Sequence, residues 1–278
     1  MPLLRHRPAP PLDALIDCFW YSRGHAPLRQ RERALPSGRA DLVFNLHEDC
    51  IRTFMSATDR VGLVTHGAVV HGPQSRYFVL DARKDIHVVG VHFLPGGGGI
   101  LGVPMDALRD RHVPLEDLWG EHANRLRDRL VEARDAHAMF AILDSEFRRR
   151  VERRTLVHPA ISFALRRFGA DVAPLRVDPV RRDTGYSERR FATLFSGAVG
   201  LTPKRYVRVQ RLTRVVQNLA SGQRDLAGIA ADAGYYDQAH LTHDFRELAG
   251  TSPGSYAPMP GRSALHEAID SGELQSDR

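Results

Sequence analysis

Up to about residue 110 the apolar residues come in short bursts cut by turn signals. LPSGRADLVFNL (35–46) places a Ser37-Gly38 turn ahead of an apolar run, and RVGLVTHGAVVHGP (60–73), RYFVLD (76–81) and DIHVVGVHFLPGGGG (85–99) follow the same plan. Val, Ile and aromatic residues bounded by Gly and Pro predict strands. Several such strands at close spacing predict a β-sandwich or barrel. After Pro114 the period becomes helical. Leu115, Leu118, Trp119, His122, Leu126 and Leu130 share one face, and Met139, Phe140, Leu143 and Phe147 share another. RRRVERR (148–154) reads as a solvated helix end leading into a linker. The two apolar faces have two readings: packing on the β-domain, or a dimer seam through Leu118, Leu126 and Leu130. From His158 to Tyr256 the pattern stays helical, whereas 258–278 is polar without apolar period and predicts a frayed or disordered tail.

The helical C-terminal third contains a duplication. FSGAVGLTPKRY (195–206) and FRELAGTSPGSY (245–256) share Phe, Gly, a Thr/Ser-Pro pair and Tyr at the same spacing. Gly185-Tyr186 and Gly234-Tyr235 precede the two copies, and VDPVRRDT (177–184) and DLAGIAADA (225–233) precede those pairs as short helix candidates. Each unit therefore reads helix, glycine turn, helix. In the second, Asp225 caps the first helix, Gly234 stops it, and Asp237 caps the next. Leu226, Ile229 and the small Ala230 face inward, and Leu241 and Phe245, four apart, form the buried stripe of the second helix. Gln238, Ala239, His240, Thr242 and His243 are left over, on and beside one face. In the first unit Ser187 caps and Phe191, Leu194 and Phe195 bury, leaving Arg189, Arg190, Ala192 and Thr193. Short donors and acceptors on a helix whose other face is anchored suit base edges in a major groove.

Charge and composition fit that reading. The chain of 278 residues is 42% hydrophobic and 26% charged with a net charge of +6, which favours a polyanionic partner. Cys18 and Cys50 make no disulfide framework, the N-terminus has no apolar h-region, and no run of eighteen apolar residues occurs. These features predict a cytoplasmic chain that does not span a membrane.

The segment from about 158 to 256 closely resembles the DNA-binding domain of AraC/XylS-type transcription regulators, most specifically in GYYDQAHLTHDFRELAGTSPGSY (234–256). The resemblance implies two helix-turn-helix units joined by a central helix, here PKRYVRVQRLTRVVQNL (203–219). It places base reading on Arg189, Ala192 and Thr193 in the first unit and on Gln238, Ala239, His240 and His243 in the second. It leaves Arg208 and Arg211 to brace the units or touch phosphate. The first unit departs from the pattern: Arg181 stands where a small residue is usual, and Thr184 replaces an apolar one. A weaker resemblance, carried by CFW, LPSGRADLVFNL and VGVHFLPGGGGILGVP (89–104), relates the N-terminal part to the β-rich sensor domain of one subgroup. It implies a cupin-like fold that receives a signal.

Together these readings predict an α+β multidomain chain. A cupin-like β-sandwich or barrel occupies 1–110, a helical linker with a candidate dimerisation role 111–155, an all-α double helix-turn-helix domain 156–257, and a polar tail 258–278. The expected partner is double-stranded DNA, with a small-molecule effector as candidate signal, RNA polymerase if the output is activation, a homodimer as candidate assembly, and no membrane. No cofactor, metal or catalytic residue is expected. His47, His66, His71, His87 and His92 show no His-x-His pair with a following Glu at cupin spacing, and His87 and His92, five apart on one strand, point to opposite faces. GGGG at 96–99 lacks the Gly-Lys-Ser/Thr ending of a phosphate loop; it reads as a strand-to-loop turn or as a mobile lip of a pocket. No zinc-finger spacing and no GxSxG elbow occurs. The rival reading is a cupin-type small-molecule-binding protein or enzyme whose C-terminal helices bind protein.

Overall fold

The computed structural model describes residues 3–25, 30–82, 85–151, 157–169, 176–259 and 262–269. The N-terminal strands are β1 (Leu3–His6), β2 (Ile16–His25), β3 (Gln30–Ala34), β4 (Asp41–Asn45), β5 (Cys50–Phe54), β6 (Leu63–His66), β7 (Ala68–His71), β8 (Phe78–Ala82), β9 (Asp85–Phe93) and β10 (His112–Pro114). β11 (His266–Ala268) comes from the far end of the chain. They form a six-stranded sheet, β1-β2-β9-β4-β7-β10, and a five-stranded sheet, β11-β3-β8-β5-β6. The apolar bursts correspond to β4 and β6 to β9. β3, QRERA, carried no apolar signal because its central residues are charged, yet Glu32 and Arg33 are buried.

Alternation gives the six-stranded sheet two different faces. Leu42 and Phe44 of β4, with Val89, Val91 and Phe93 of β9, face a large apolar core. Asp41, Val43 and Asn45, with Ile86, Val88 and His92, face a cavity between the sheets. His87 and His92 accordingly separate: His87 packs edge-on against Tyr21, and His92 lines the cavity. The Gly run forms a turn, with Gly96 left-handed at φ 85° and residues 97–101 in a short 3-10 helix. It is no lip of the cavity. Gly97 and Gly98 are buried, and a Cβ on Gly97 would sit 1.9 Å from the carbonyl oxygen of Leu15.

The helices expected as a linker belong to this core. They are α1 (Leu115–Trp119), α2 (Glu121–Val131) and α3 (Ala136–Val151). The single apolar stripe seen in the sequence is cut at Gly120, whose φ and ψ of 58° and −152° separate α1 from α2. Leu126 and Leu130 are 1% and 0% exposed within one protomer, and Leu118 packs against the same cluster. Each such side chain contributes about 1.5–3 kcal/mol on burial. That apolar surface is consumed inside the chain, so of the two readings of these faces the structure shows packing on the β-domain at Leu126 and Leu130, not a dimer seam there. The arginine run is only partly solvated: Arg148 bonds Asp144, and Arg150 pairs with Glu146 and lies over the Trp119 ring at 3.3 Å. Residues 152–154 of that run lie outside the described residues.

The helical domain contains α4 (Pro159–Gly169), α5 (Val177–Asp183), α6 (Glu188–Val199), α7 (Pro203–Ala220), α8 (Leu226–Ala233) and α9 (Gln238–Ala249). It meets the β-domain at the glycines that end α6 and α9. Gly200, at φ 90°, abuts Pro73 and the Met105 carbonyl; Gly250, at φ 69°, abuts the Tyr77 ring. The left-handed C-caps let the backbone turn there with no Cβ in the seam. Tyr77 N–H donates to the Leu248 carbonyl at 2.7 Å, and Gln210 Nε2 donates to Ser37 O at 3.2 Å.

The expected disordered tail is corrected over residues 262–269. β11 pairs antiparallel with β3, and Ile269 is 2% exposed. The reason is tertiary: a short polar strand is stabilised by an open sheet edge and by a buried partner for Glu267, neither of which its own sequence displays. Residues 270–278 lie outside the described residues.

Candidate nucleic-acid interface

Both helix-turn-helix units close as their sequence dictates. Asp225 accepts from Ala227 N–H at 3.1 Å, Ser187 from Arg190 N–H at 3.3 Å, and Asp237 from His240 N–H at 2.7 Å. Gly234, at φ 81°, ends α8. Ile229, Leu241 and Phe245 are fully buried with Ala230 and Ala233 in one core. Phe191 and Phe195 do the same for the first unit, with Leu194 only partly buried. The displaced Arg181 is accommodated without entering the core: its Nη1 donates to the Tyr186 carbonyl at 3.0 Å across the turn. Thr184 turns its hydroxyl back to the Arg181 carbonyl at 2.6 Å.

The residues left over are presented to solvent. Arg189, Arg190 and Thr193 on α6, and Gln238, Ala239, His240 and His243 on α9, are exposed; Ala192 and Thr242 are half-buried. Two are oriented locally. Thr193 Oγ1 donates to the Arg189 carbonyl at 3.0 Å, and the His240 ring stands edge-on to Tyr235 with centroids 5.1 Å apart. Ser187 and Asp237 are occupied as N-caps. Their helices point N-terminal N–H groups outward, where an anion is favoured.

Arg208 is a brace. Its Nε and Nη2 donate to Asp244 Oδ1 at 3.0 and 2.7 Å. Nη1 donates to Glu247 Oε1 at 3.0 Å, and Nη2 also bonds Glu247 Oε2. These hydrogen bonds, led by Glu247, raise the guanidinium's pKa, and Arg208 in turn holds the Glu247 carboxyl below its ordinary range. α7 is thereby fastened to α9. Arg211, the other basic residue expected on this helix, lies with its guanidinium 5.9 Å from the Tyr235 ring.

Between the two units lies a groove of about 490 Å³. Arg176, Arg182, Lys204 and Arg211 line it with His240. Sequence reasoning missed Arg176 and Arg182, at the two ends of α5, and Lys204 at the start of α7. Their one sequence signal is a basic residue beside a helix start or the turn of a unit. Tyr236, 92% exposed in the turn before α9, was missed as well.

The second concave feature is the cavity of about 280 Å³ between the sheets. Its wall mixes apolar residues, Trp20, Leu35 and Phe78 among them, with ion pairs. His92 Nδ1 lies 2.6 Å from Asp41 Oδ1, and Arg39 Nη1 lies 3.0 Å from Asp17. Burial opposes ionisation of Asp41, but the charge and hydrogen bond of His92 outweigh it, so the carboxyl stays below its ordinary range. His71 and His112 share a 2.8 Å Nδ1–Nδ1 hydrogen bond, and burial lowers them to about 4 and about 3. Among the described residues no three His, Cys, Asp or Glu side chains converge as metal ligands. Cys18 and Cys50 are free thiols, and burial pushes Cys18 up to about 11. No helix among the described residues is long and apolar enough to cross a membrane.

Two capped helix pairs on a shared central helix, each presenting a polar face, define a double helix-turn-helix domain joined to a β-sandwich. A helix-turn-helix domain family matches residues 181–258, and a domain of unknown function (DUF6597) matches residues 4–114. The regulatory protein SoxS of Salmonella typhimurium is 30% identical over 83 residues, which are 30% of this chain and 78% of SoxS. The HTH-type transcriptional regulator AlkR of Acinetobacter baylyi is 32% identical over 102 residues, 36% of this chain and 33% of AlkR. The match thus spans about a third of AlkR's length. ToxT from Vibrio cholerae superposes over 85% of this chain and 95% of its own at 11% identity, with a TM-score of 0.47. The chain belongs to the AraC/XylS-type family of helix-turn-helix transcription regulators.

Proposed function

We propose that this chain regulates transcription by binding specific sequences of double-stranded DNA, with α6 and α9 read into successive major-groove segments. The observation that carries this is the paired exposure of polar side chains on two helices whose opposite faces and C-termini are anchored. Arg189 is the candidate for guanine, through its two-pronged donors, and Gln238 for adenine. The exposed Arg190, Thr193, Ala239, His240 and His243 and the half-buried Ala192 and Thr242 complete the reading faces. Arg176, Arg182 and Lys204 supply phosphate contacts between the two segments, giving a salt-dependent affinity. The cavity of the β-domain is the candidate effector site.

Binding selection on random duplexes, followed by Gln238→Ala and Arg189→Ala, tests this. Each variant loses about 1–3 kcal/mol on the preferred site and relaxes discrimination at one position. A uniform loss over all sequences assigns the residue to the backbone instead.

A further inference from the structure

The C-terminal segment 262–269 touches three things at once. Its first partner is the β-domain's sheet edge. His266, Glu267 and Ala268 pair with Ala34, Arg33 and Glu32, and the ladder is extended by Leu35 N–H to Leu265 O at 2.8 Å and Ile269 N–H to Arg31 O at 3.0 Å. Glu267 Oε2 meets Arg33 Nη1 at 3.0 Å with both side chains 3–4% exposed. Ile269 closes a small apolar cluster with Phe54 and Val79.

The second partner is the end of the second helix-turn-helix unit. Glu267 Oε1 accepts from Ala257 N–H at 3.2 Å, and Met259 N–H donates to His266 O at 2.8 Å. Tyr256, whose ring packs edge-on against Phe245 of α9, donates its hydroxyl to the Ala264 carbonyl. Leu265 and Ala264 pack on the same core as α8 and α9, and Leu35 of the β-domain is buried in that core.

The third partner is the cavity. Arg262, Ser263, Leu265 and His266 form part of its wall. His266 Nδ1 and Arg262 Nε lie 3.3 and 3.7 Å from the buried Glu32 carboxylate.

We propose that residues 262–269 are a regulatory strap that makes the cavity a composite of both domains and couples its occupancy to the placement of the second helix-turn-helix unit. This rests on the reading of the cavity as the effector site. A small molecule in the cavity meets the strap residues only while β11 is docked, so occupancy and docking favour each other. Docking fixes the chain directly after Tyr256 to β3 and so holds the end of α9 at the Tyr77 seam. Release of the strap leaves that seam to its other contacts, among them the Tyr77–Leu248 hydrogen bond.

Hydrogen exchange on the full chain tests this without knowledge of the ligand. Glu267→Arg sets two guanidiniums against each other in a buried site. It is expected to speed exchange about tenfold or more at residues 266–269, at Leu35 and at the seam amide of Tyr77, while Leu42 and Val91 in the central sheet keep their protection. Arg33→Glu/Glu267→Arg restores the slow rates. Should Glu267→Arg also expose Leu42 and Val91, Ile269→Ala gives the milder release and the same order is expected. Val43→Phe, which occupies part of the cavity from β4, slows exchange of the strap about threefold or more. Wild-type rates at Tyr77 with the strap released overturn the hold on the seam; unchanged strap rates in Val43→Phe overturn the coupling to the cavity. Gel shifts on random duplexes keep this separate from the regulator reading. A chain that ignores every duplex yet shows these shifts refutes that reading and supports the strap; a chain that binds duplex with unchanged rates refutes the strap alone.

Discussion

Arg208 separates two roles that a basic residue on a central helix can have, and Arg208→Met distinguishes them. The substitution keeps much of the apolar stem and removes the fork that binds Asp244 and Glu247. The two carboxylates are not equal. Glu247 is 54% exposed, so its pair is worth a few tenths of a kcal/mol once screened. Asp244 is 6% exposed and loses its charge-assisted hydrogen bonds inside the protein. Arg208 itself is 32% exposed, which reduces the loss below that of a fully buried pair. About 2 kcal/mol of destabilisation results, nearly all from Asp244. Urea unfolding measures it, and Arg208→Met/Asp244→Asn recovers most of it. In parallel, DNA affinity of the folded variant is measured against salt. A brace leaves the slope of log K against log salt unchanged, whereas loss of one phosphate contact reduces it by about 0.9. Unchanged stability with a reduced slope refutes the brace.

Acid weakens the β-domain through His71 and His112. Both are held neutral, below the ordinary histidine value of about 6.5, so the unfolded chain binds more protons from there down to their folded values of about 4 and about 3. Their stabilisation is full above pH 6.5 and is lost as pH falls toward 4, by about 2 kcal/mol per histidine at pH 5; urea midpoints at pH 7.5 and pH 5 check this. Leu126→Ala or Leu130→Ala costs about 2–5 kcal/mol by leaving a core cavity, without changing the sedimentation coefficient of the folded chain. Gly250→Ala strains a positive φ and drives a Cβ to 2.2 Å from the Tyr77 ring. Exchange at the Tyr77 amide then accelerates, while the β-domain's central strands stay protected.

The C-terminal units were legible because they are local. Asp225, Gly234, Asp237, Leu241 and Phe245 act within a few residues of one another, so caps, stops and buried stripes appear in the sequence as spacing. The polar face of α9 followed by subtraction. Local signals also found β4 and β9, where one face is apolar.

The sequence by itself determined that two helix-turn-helix units exist, where they begin and end, and which of their side chains are free of the core. The tertiary structure alone decided what partners met across long separations. It turned the stripe of Leu126 and Leu130 inward, since periodicity marks an apolar face without saying what covers it. It engaged Arg208 with Asp244 and Glu247, because a charge in sequence carries no record of its counter-ion. It ordered 262–269, because a polar strand is stabilised by a sheet edge and by Arg33, more than two hundred residues away along the chain.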